Sequence, residues 1–390
     1  MAMHEWSLIS DELTGSALQF SLNADDIPGT PSGWHVSLRT LQSGLSQGVH
    51  LVEIANGRLR FAVIPTRGMG LWRAWMNDRE LGWRSPVRGP VHPYFVPCSE
   101  PSGLGWLTGF DELMCRCGLE SNGAPDFDDR GNVLYPLHGR VANLPARDVR
   151  VAIDDVAGTI SLSGVVDEAR FHFQKLRLRT TYTTSFGSSR ICWHDEVENF
   201  GGSVASMQML YHTNIGQPQL DAGSTLIAPV ASVGPGNADT VAMGTKNWDR
   251  YGPPDPQFRQ QVYQLGLLSD DCGKTRVLVK DSAEASGVQL NYNVEQLPYF
   301  SLWRNLVPEA DGYVTGIEPA TNYPNPRTYE SQHGRVIDLP PGETWKAELA
   351  LDWLLEPAAV AQAERDICEL KGGRKVTTYA DIVEQRSDTR

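Results

Sequence analysis

The chain has 390 residues, and 34 Lys and Arg against 47 Asp and Glu leave a formal charge of −13. A surface of that sign repels phosphate backbones and anionic lipid, which argues against nucleic acid or membrane as the main partner and favours a small neutral ligand. No stretch approaches the roughly 20 apolar residues that span a bilayer, and the opening Met-Ala-Met-His-Glu-Trp-Ser has no basic segment leading into an apolar run, so a cytoplasmic protein is expected.

Six cysteines (Cys98, Cys115, Cys117, Cys192, Cys272 and Cys368) are scattered without a CxxC pair, which predicts reduced thiols rather than a disulfide scaffold or a structural zinc site. Residues 1–48 are mixed in character and read as an N-terminal extension. From Val49 the pattern changes. His50-Leu-Val-Glu-Ile and Leu59-Arg-Phe-Ala-Val-Ile are two strands around an Asn56-Gly57 turn, and the second strand delivers Arg67 just after Pro65 and Thr66. Residues 85–136 show little alternation and much Pro, Gly and aromatic content. So long an irregular stretch reads as loop walls around a pocket, closed by Leu137-His138-Gly139. The His-Gly pair suits either a close backbone approach to a ligand or an ordinary turn.

Strands follow at 147–153, 159–166, 171–185, 190–199 and 203–212, a run that implies an antiparallel sandwich meander. Along 190–199, alternation places Ile191, Trp193, Asp195 and Val197 on one face and Cys192, His194, Glu196 and Glu198 on a solvated one. The fifth strand ends in Tyr211-His212-Thr213-Asn214 and a turn, setting His212 and Asn214 at the mouth of the β-structure. Further strands are expected at 275–280, 287–292, 299–303, 313–318, 334–339 and 344–354. Only 357–370 has helix formers with an apolar stripe, at Val360, Ala363, Ile367 and Leu370. The reading is all-β: a large antiparallel sandwich over 49–356 with the 1–48 extension packed on it, then a short C-terminal helix and tail over 357–390.

A second polar group closes a strand in Gly316-Ile317-Glu318-Pro319, where Glu318 opens a turn and projects toward the same mouth as His212. A carboxyl and an imidazole that face one substrate form a general acid–base pair, each adding ~10²–10⁴-fold. The alternative for Glu318 is an ion pair with Arg304 or Arg67.

In this order, an arginine after an early strand, Leu-His-Gly, Tyr-His-x-Asn-x-Gly, Gly-x-Glu-Pro and a closing Pro341-Gly342-Glu343 resemble the galactose mutarotase, or aldose 1-epimerase, superfamily. The narrower likeness is to its bacterial aldose 1-epimerase-like branch, and it runs from about Val49 to Glu356. The resemblance implies a β-supersandwich, Glu318 as catalytic base and His212 as general acid, with His138 and Arg67 on sugar hydroxyls. Trp303 and Arg304 stand where the branch has Trp-Lys and are assigned to binding with Asn214, while Asp111 and Asp221 are weaker candidates for the family's binding aspartate. The family's usual Asn-His is Tyr-His here.

On this reading the partner is a small-molecule sugar, no cofactor or metal is required, and self-association is left open. Ring opening by the pair, bond rotation and reclosure would exchange anomers. Because an ordinary histidine at ~6.5 supplies little imidazolium at neutral pH, a nearby carboxylate is expected to raise His212. The pair is expected on opposite walls of one cleft, ~5–8 Å apart, with Trp303 or Trp106 as aromatic platform. Competing readings are a keto-sugar isomerase or glycoside lyase using the same pair, a non-catalytic carbohydrate-binding protein, and a metal-dependent isomerase with His138 and His212 as ligands.

Overall fold

The computed structural model describes residues 3–10 and 19–382; the remaining parts of the N-terminal extension and of the tail lie outside the described residues. Among the described residues two largely antiparallel sheets, of nine and fourteen strands, stack face to face. Their facing sides share one apolar core, to which the smaller sheet gives Val151, Ile160, Leu178, Ile191 and Trp193 and the larger Ile54, Phe61, Leu71, Tyr211 and Ile317. Each aliphatic side chain closed in this way contributes roughly 1.5–3 kcal/mol. Met3–Ile9 pairs with Arg147–Asp154 in the smaller sheet, and Phe20–Asn23 and Trp34–Thr40 extend the larger one.

Six strands of the larger sheet position the site. They are β1 (Gly70–Met76), β2 (Met114–Leu119), β3 (Ala205–Gly216), β4 (Gln261–Leu267), β5 (Tyr299–Asn305) and β6 (Val314–Ala320). In space they run β1-β2-β3-β6-β5-β4. Strands 147–154, 159–169, 175–185 and 190–199 form the expected meander, but the fifth, β3, crosses to the other sheet because its alternate residues are buried on both faces.

Three further expectations are corrected. Residues 85–136 are not all loop. They contain β2, a central strand whose six residues are all buried, so no alternation betrays it. His212 and Asn214 do not end their strand; β3 continues to Gly216. Nor does Glu318 end its own, since Pro319 lies inside β6. The predicted helix forms at Pro357–Lys371 and stops at left-handed Gly372, docking Val360, Ala363 and Ile367 on Leu278. Among the described residues no helix is long and apolar enough to cross a membrane.

Candidate active site

Alternation gives the large sheet two chemically different faces. Met209, Tyr211 and Ile215 of β3 enter the inter-sheet core, while Leu210 joins Cys115 and Cys117 of β2, Val314 and Ala320 of β6, and Trp83, Trp106 and Phe110 in a second cluster on the outer side. His212 and Asn214 have the parity of Leu210. Leu210 pairs with Ala320 and Thr213 with Ile317, so the register sets His212 opposite Glu318. The irregular stretch 83–113 and the segment 137–142 fold over this face as the expected walls.

The two groups meet directly. His212 Nε2 lies 3.2 Å from Glu318 Oε1, with side chains only 5% and 3% exposed. They are neighbours on adjacent strands rather than opposite walls of a cleft, which corrects the expected spacing. Gly316 makes this contact fit: a Cβ there would stand 2.4 Å from Glu318 Oε1 and 3.0 Å from His212 Cε1.

Rings enclose the pair. His212 stands 5.2 Å from Phe110, 5.3 Å from His138, 5.5 Å from Trp303 and 6.2 Å from Trp106 between ring centroids. His138 and Trp303 are the partly buried members of this bowl, while Trp106, which also borders His212, is closed off at 1% exposure. Inside it, Glu318 Oε1, His212 Nδ1, Asn214 Oδ1, Ser301 Oγ and Trp106 Nε1 are buried without a hydrogen-bond partner. Buried polar atoms are normally paired, and leaving one unpaired costs about 1–3 kcal/mol. Five such atoms gather around one carboxyl–imidazole pair, which makes the bowl a candidate ligand site.

Burial also sets the protonation states. It pushes the Glu318 carboxyl up to about 8. It drives His212 well below its ordinary value of 6.5, with His138 adding to the fall. The expectation that a carboxylate would raise His212 is therefore overturned, because both groups are dry and the pair stays uncharged. His138 is held down at about 4, again by burial, despite its bond to the Asn122 carbonyl. Neutral His138 donates from Nδ1 to that carbonyl at 2.9 Å, which leaves Nε2 as an acceptor. The adjacent Gly139 serves a turn: at φ +71° it packs on the Ser121 and Gly118 carbonyls, where a Cβ would come within 2.4 Å.

Three assigned binding residues stand apart. Arg67 is sealed, its Nε donating to Glu112 at 2.7 Å and its remaining nitrogens to Asn143 Oδ1 and the Val91 and Gly109 carbonyls. It braces the wall that carries Phe110 and is 1% exposed. Arg304 is one residue after Trp303 and so lies on the other face, donating to the Asn247 and Arg250 carbonyls beside the rings of Tyr251 and Tyr263. Asp111 accepts from Trp72 Nε1 at 2.9 Å and is pushed up to about 7 by burial and by Glu112. Asp221 is held by Ser224 and Ser282. Asn214 belongs to the site; its Nδ2 donates to the Glu112 and His212 carbonyls. Among the described residues no three His, Cys, Asp or Glu converge to hold a metal ion.

An open groove of about 520 Å³ lies on the outer face of the smaller sheet. Several of its charged groups pair, Arg190 with Asp352, Arg276 with Asp366 and His194 with Glu196. The bowl over β3, where the carboxyl–imidazole pair lies, is the stronger candidate.

The family described as "Domain of unknown function (DUF4432)" matches residues 46–352. A structure from Klebsiella pneumoniae subsp. pneumoniae MGH 78578, described as a "putative aldose 1-epimerase", is 33% identical, with 97% of this chain and 98% of that one covered at a TM-score of 0.92. A galactose mutarotase-like protein from Clostridium acetobutylicum (15% identity, 82% and 98% covered, TM-score 0.56) and galactose 1-epimerase from Lactobacillus acidophilus NCFM (14%, 82% and 99%, 0.53) share the fold. No curated protein matches. The chain belongs to the DUF4432 family and has the galactose mutarotase-like fold.

Proposed function

We propose that the protein is a carbohydrate-active acid–base enzyme of aldose 1-epimerase type, with Glu318 and His212 as its proton-transfer pair. The observation that carries this reading is the dry contact of His212 Nε2 with Glu318 Oε1 at 3.2 Å beneath the ring-lined bowl. The similarity to the Klebsiella structure supports the same direction.

The chemistry follows from one proton shared by two groups. In the resting pair the carboxyl holds it and the imidazole is free. Neutral His212 takes the proton of the anomeric hydroxyl, and the electrons left behind form the carbonyl as the bond from the anomeric carbon to the ring oxygen breaks. Glu318 gives its proton to that oxygen. The pair is now imidazolium and carboxylate, the assignment first expected from the sequence. Rotation next to the carbonyl and reclosure return both protons and invert the anomeric centre. Each role is reversible, so acid and base exchange between the two directions. On this reading His138 Nε2 and Asn214 Oδ1 accept from sugar hydroxyls, and the Trp303 face meets sugar C–H groups.

The test is anomer exchange of a panel of aldoses and keto-sugars by polarimetry or NMR. Acceleration of at least one sugar is expected. Saturable binding of a sugar without any acceleration would overturn the catalytic reading in favour of a binding protein.

A further inference from the structure

The acid–base assignment leaves one side chain beside Glu318 unexplained. Ser301 of β5 stands directly opposite Glu318 in the antiparallel register. Opposed residues place their Cβ atoms some 4.5–5.5 Å apart on one face. Its parity is that of Trp303, which is in the bowl, and not that of Phe300 and Leu302, which are in the inter-sheet core. Ser301 is 1% exposed, and its hydroxyl has no partner. A serine in so dry a place is costly unless it makes a bond in some state of the protein.

We propose that Ser301 is a positioning residue for Glu318: its hydroxyl donates to the carboxylate whenever that group ionises and holds it turned toward His212. The inference rests on the reading of Glu318 as a proton-transfer group. A carboxylate is a stronger acceptor than a protonated carboxyl, so the bond belongs to the state reached after Glu318 has given up its proton. The other neutral donors nearby are the Trp106 indole in the bowl and the amide of Gln264, which stands opposite Ser301 on β4. On the site face of β6 the flanking residues are Gly316 and Ala320, and the titratable groups facing Glu318 are His212, Cys115 and Cys117, with His138 beyond His212. Burial pushes both thiols up, so they remain uncharged. Ser301 is the hydroxyl that faces Glu318 from the strand opposite His212.

The experiment is carboxyl ¹³C NMR titration of Glu318, its signal assigned by loss in Glu318→Gln, in wild type, Ser301→Ala and Ser301→Thr. Removing the donor is expected to raise the midpoint of Glu318 by about one to two pH units, on the scale of a charge-assisted bond. Ser301→Thr keeps the hydroxyl and is expected to titrate like wild type. Ser301→Cys, with a weak donor of similar volume, provides an intermediate midpoint and a second route should the alanine variant fail to fold. Unchanged midpoints in the alanine and cysteine variants would overturn the proposal. The titration needs no substrate, so its failure is distinct from that of the enzymatic reading: sugar turnover lost in Glu318→Gln alongside an unmoved Ser301→Ala midpoint would reject Ser301 alone.

Discussion

Two buried polar clusters lie back to back across the same sheet, and they are built on opposite rules. On the core side, Arg116 of β2 places all its donors: on both oxygens of Asp195, on Thr180 and Tyr182, and on the Met69 carbonyl. Tyr211 completes Asp195 at 2.9 Å. On the outer side, one residue further along β3, His212 and Glu318 leave ring nitrogen and carboxyl oxygen unpaired. Burial is equal in the two clusters; satisfaction is not. The satisfied cluster holds the sheets in register, while the unsatisfied one stores the capacity to bind and react.

The largest effect that sharpens this contrast is structural. Arg116→Met strands the Asp195 carboxylate in the core, and chemical denaturation is expected to show a loss of about 3–5 kcal/mol. In the outer cluster the corresponding change has the opposite sign. Glu318 has a folded-state value of about 8 against an ordinary 4.5, so its buried, protonated form favours folding at low pH, and that contribution is lost as pH rises from 4.5 toward 8. Glu318→Gln removes the penalty. Its stability relative to wild type is expected to grow across that window, by up to a few kcal/mol at about 1.4 per unit. His212 runs the other way: with its folded value depressed, the stability it provides is present above 6.5 and falls away below it. Thermal scans of Glu318→Gln and wild type between pH 4.5 and 8.5 that run parallel would break the comparison.

Smaller effects probe the packing of the outer cluster. Gly316→Ala drives a methyl into the Glu318–His212 contact, and a cost of about 1–3 kcal/mol is expected in denaturant titrations, together with lost turnover. Trp303→Ala is expected to weaken sugar binding by about 1–3 kcal/mol in calorimetry. Unchanged affinity would remove Trp303 from the site.

Much of this contrast was legible in the sequence, and the rest was hidden for particular reasons. His212, Asn214, His138 and Glu318 were recognisable from their short motifs, and the structure brings them to one face. Alternation along 190–199 also placed Asp195 inside. Its partner Arg116 was invisible, because Met114–Leu119 is buried on both faces and its arginine breaks the apolar run. Arg67 was misread because Glu112, which neutralises it, is 45 residues away and carries no local mark. Arg304 could have been rejected on parity alone, since it follows Trp303 in a strand. The same parity, with register, would have found Ser301, but strand pairing is a tertiary fact that one sequence does not display.

The central claim is that the outer pair moves protons rather than merely binding. Its most direct test is the anomer-exchange rate of Glu318→Gln against wild type on the best sugar of the panel, with dissociation constants measured alongside. Gln keeps the shape and hydrogen-bonding capacity of the acid but cannot carry the proton. A fall in kcat of about 10³-fold or more with nearly unchanged affinity is predicted; wild-type rates in the variant would contradict the account.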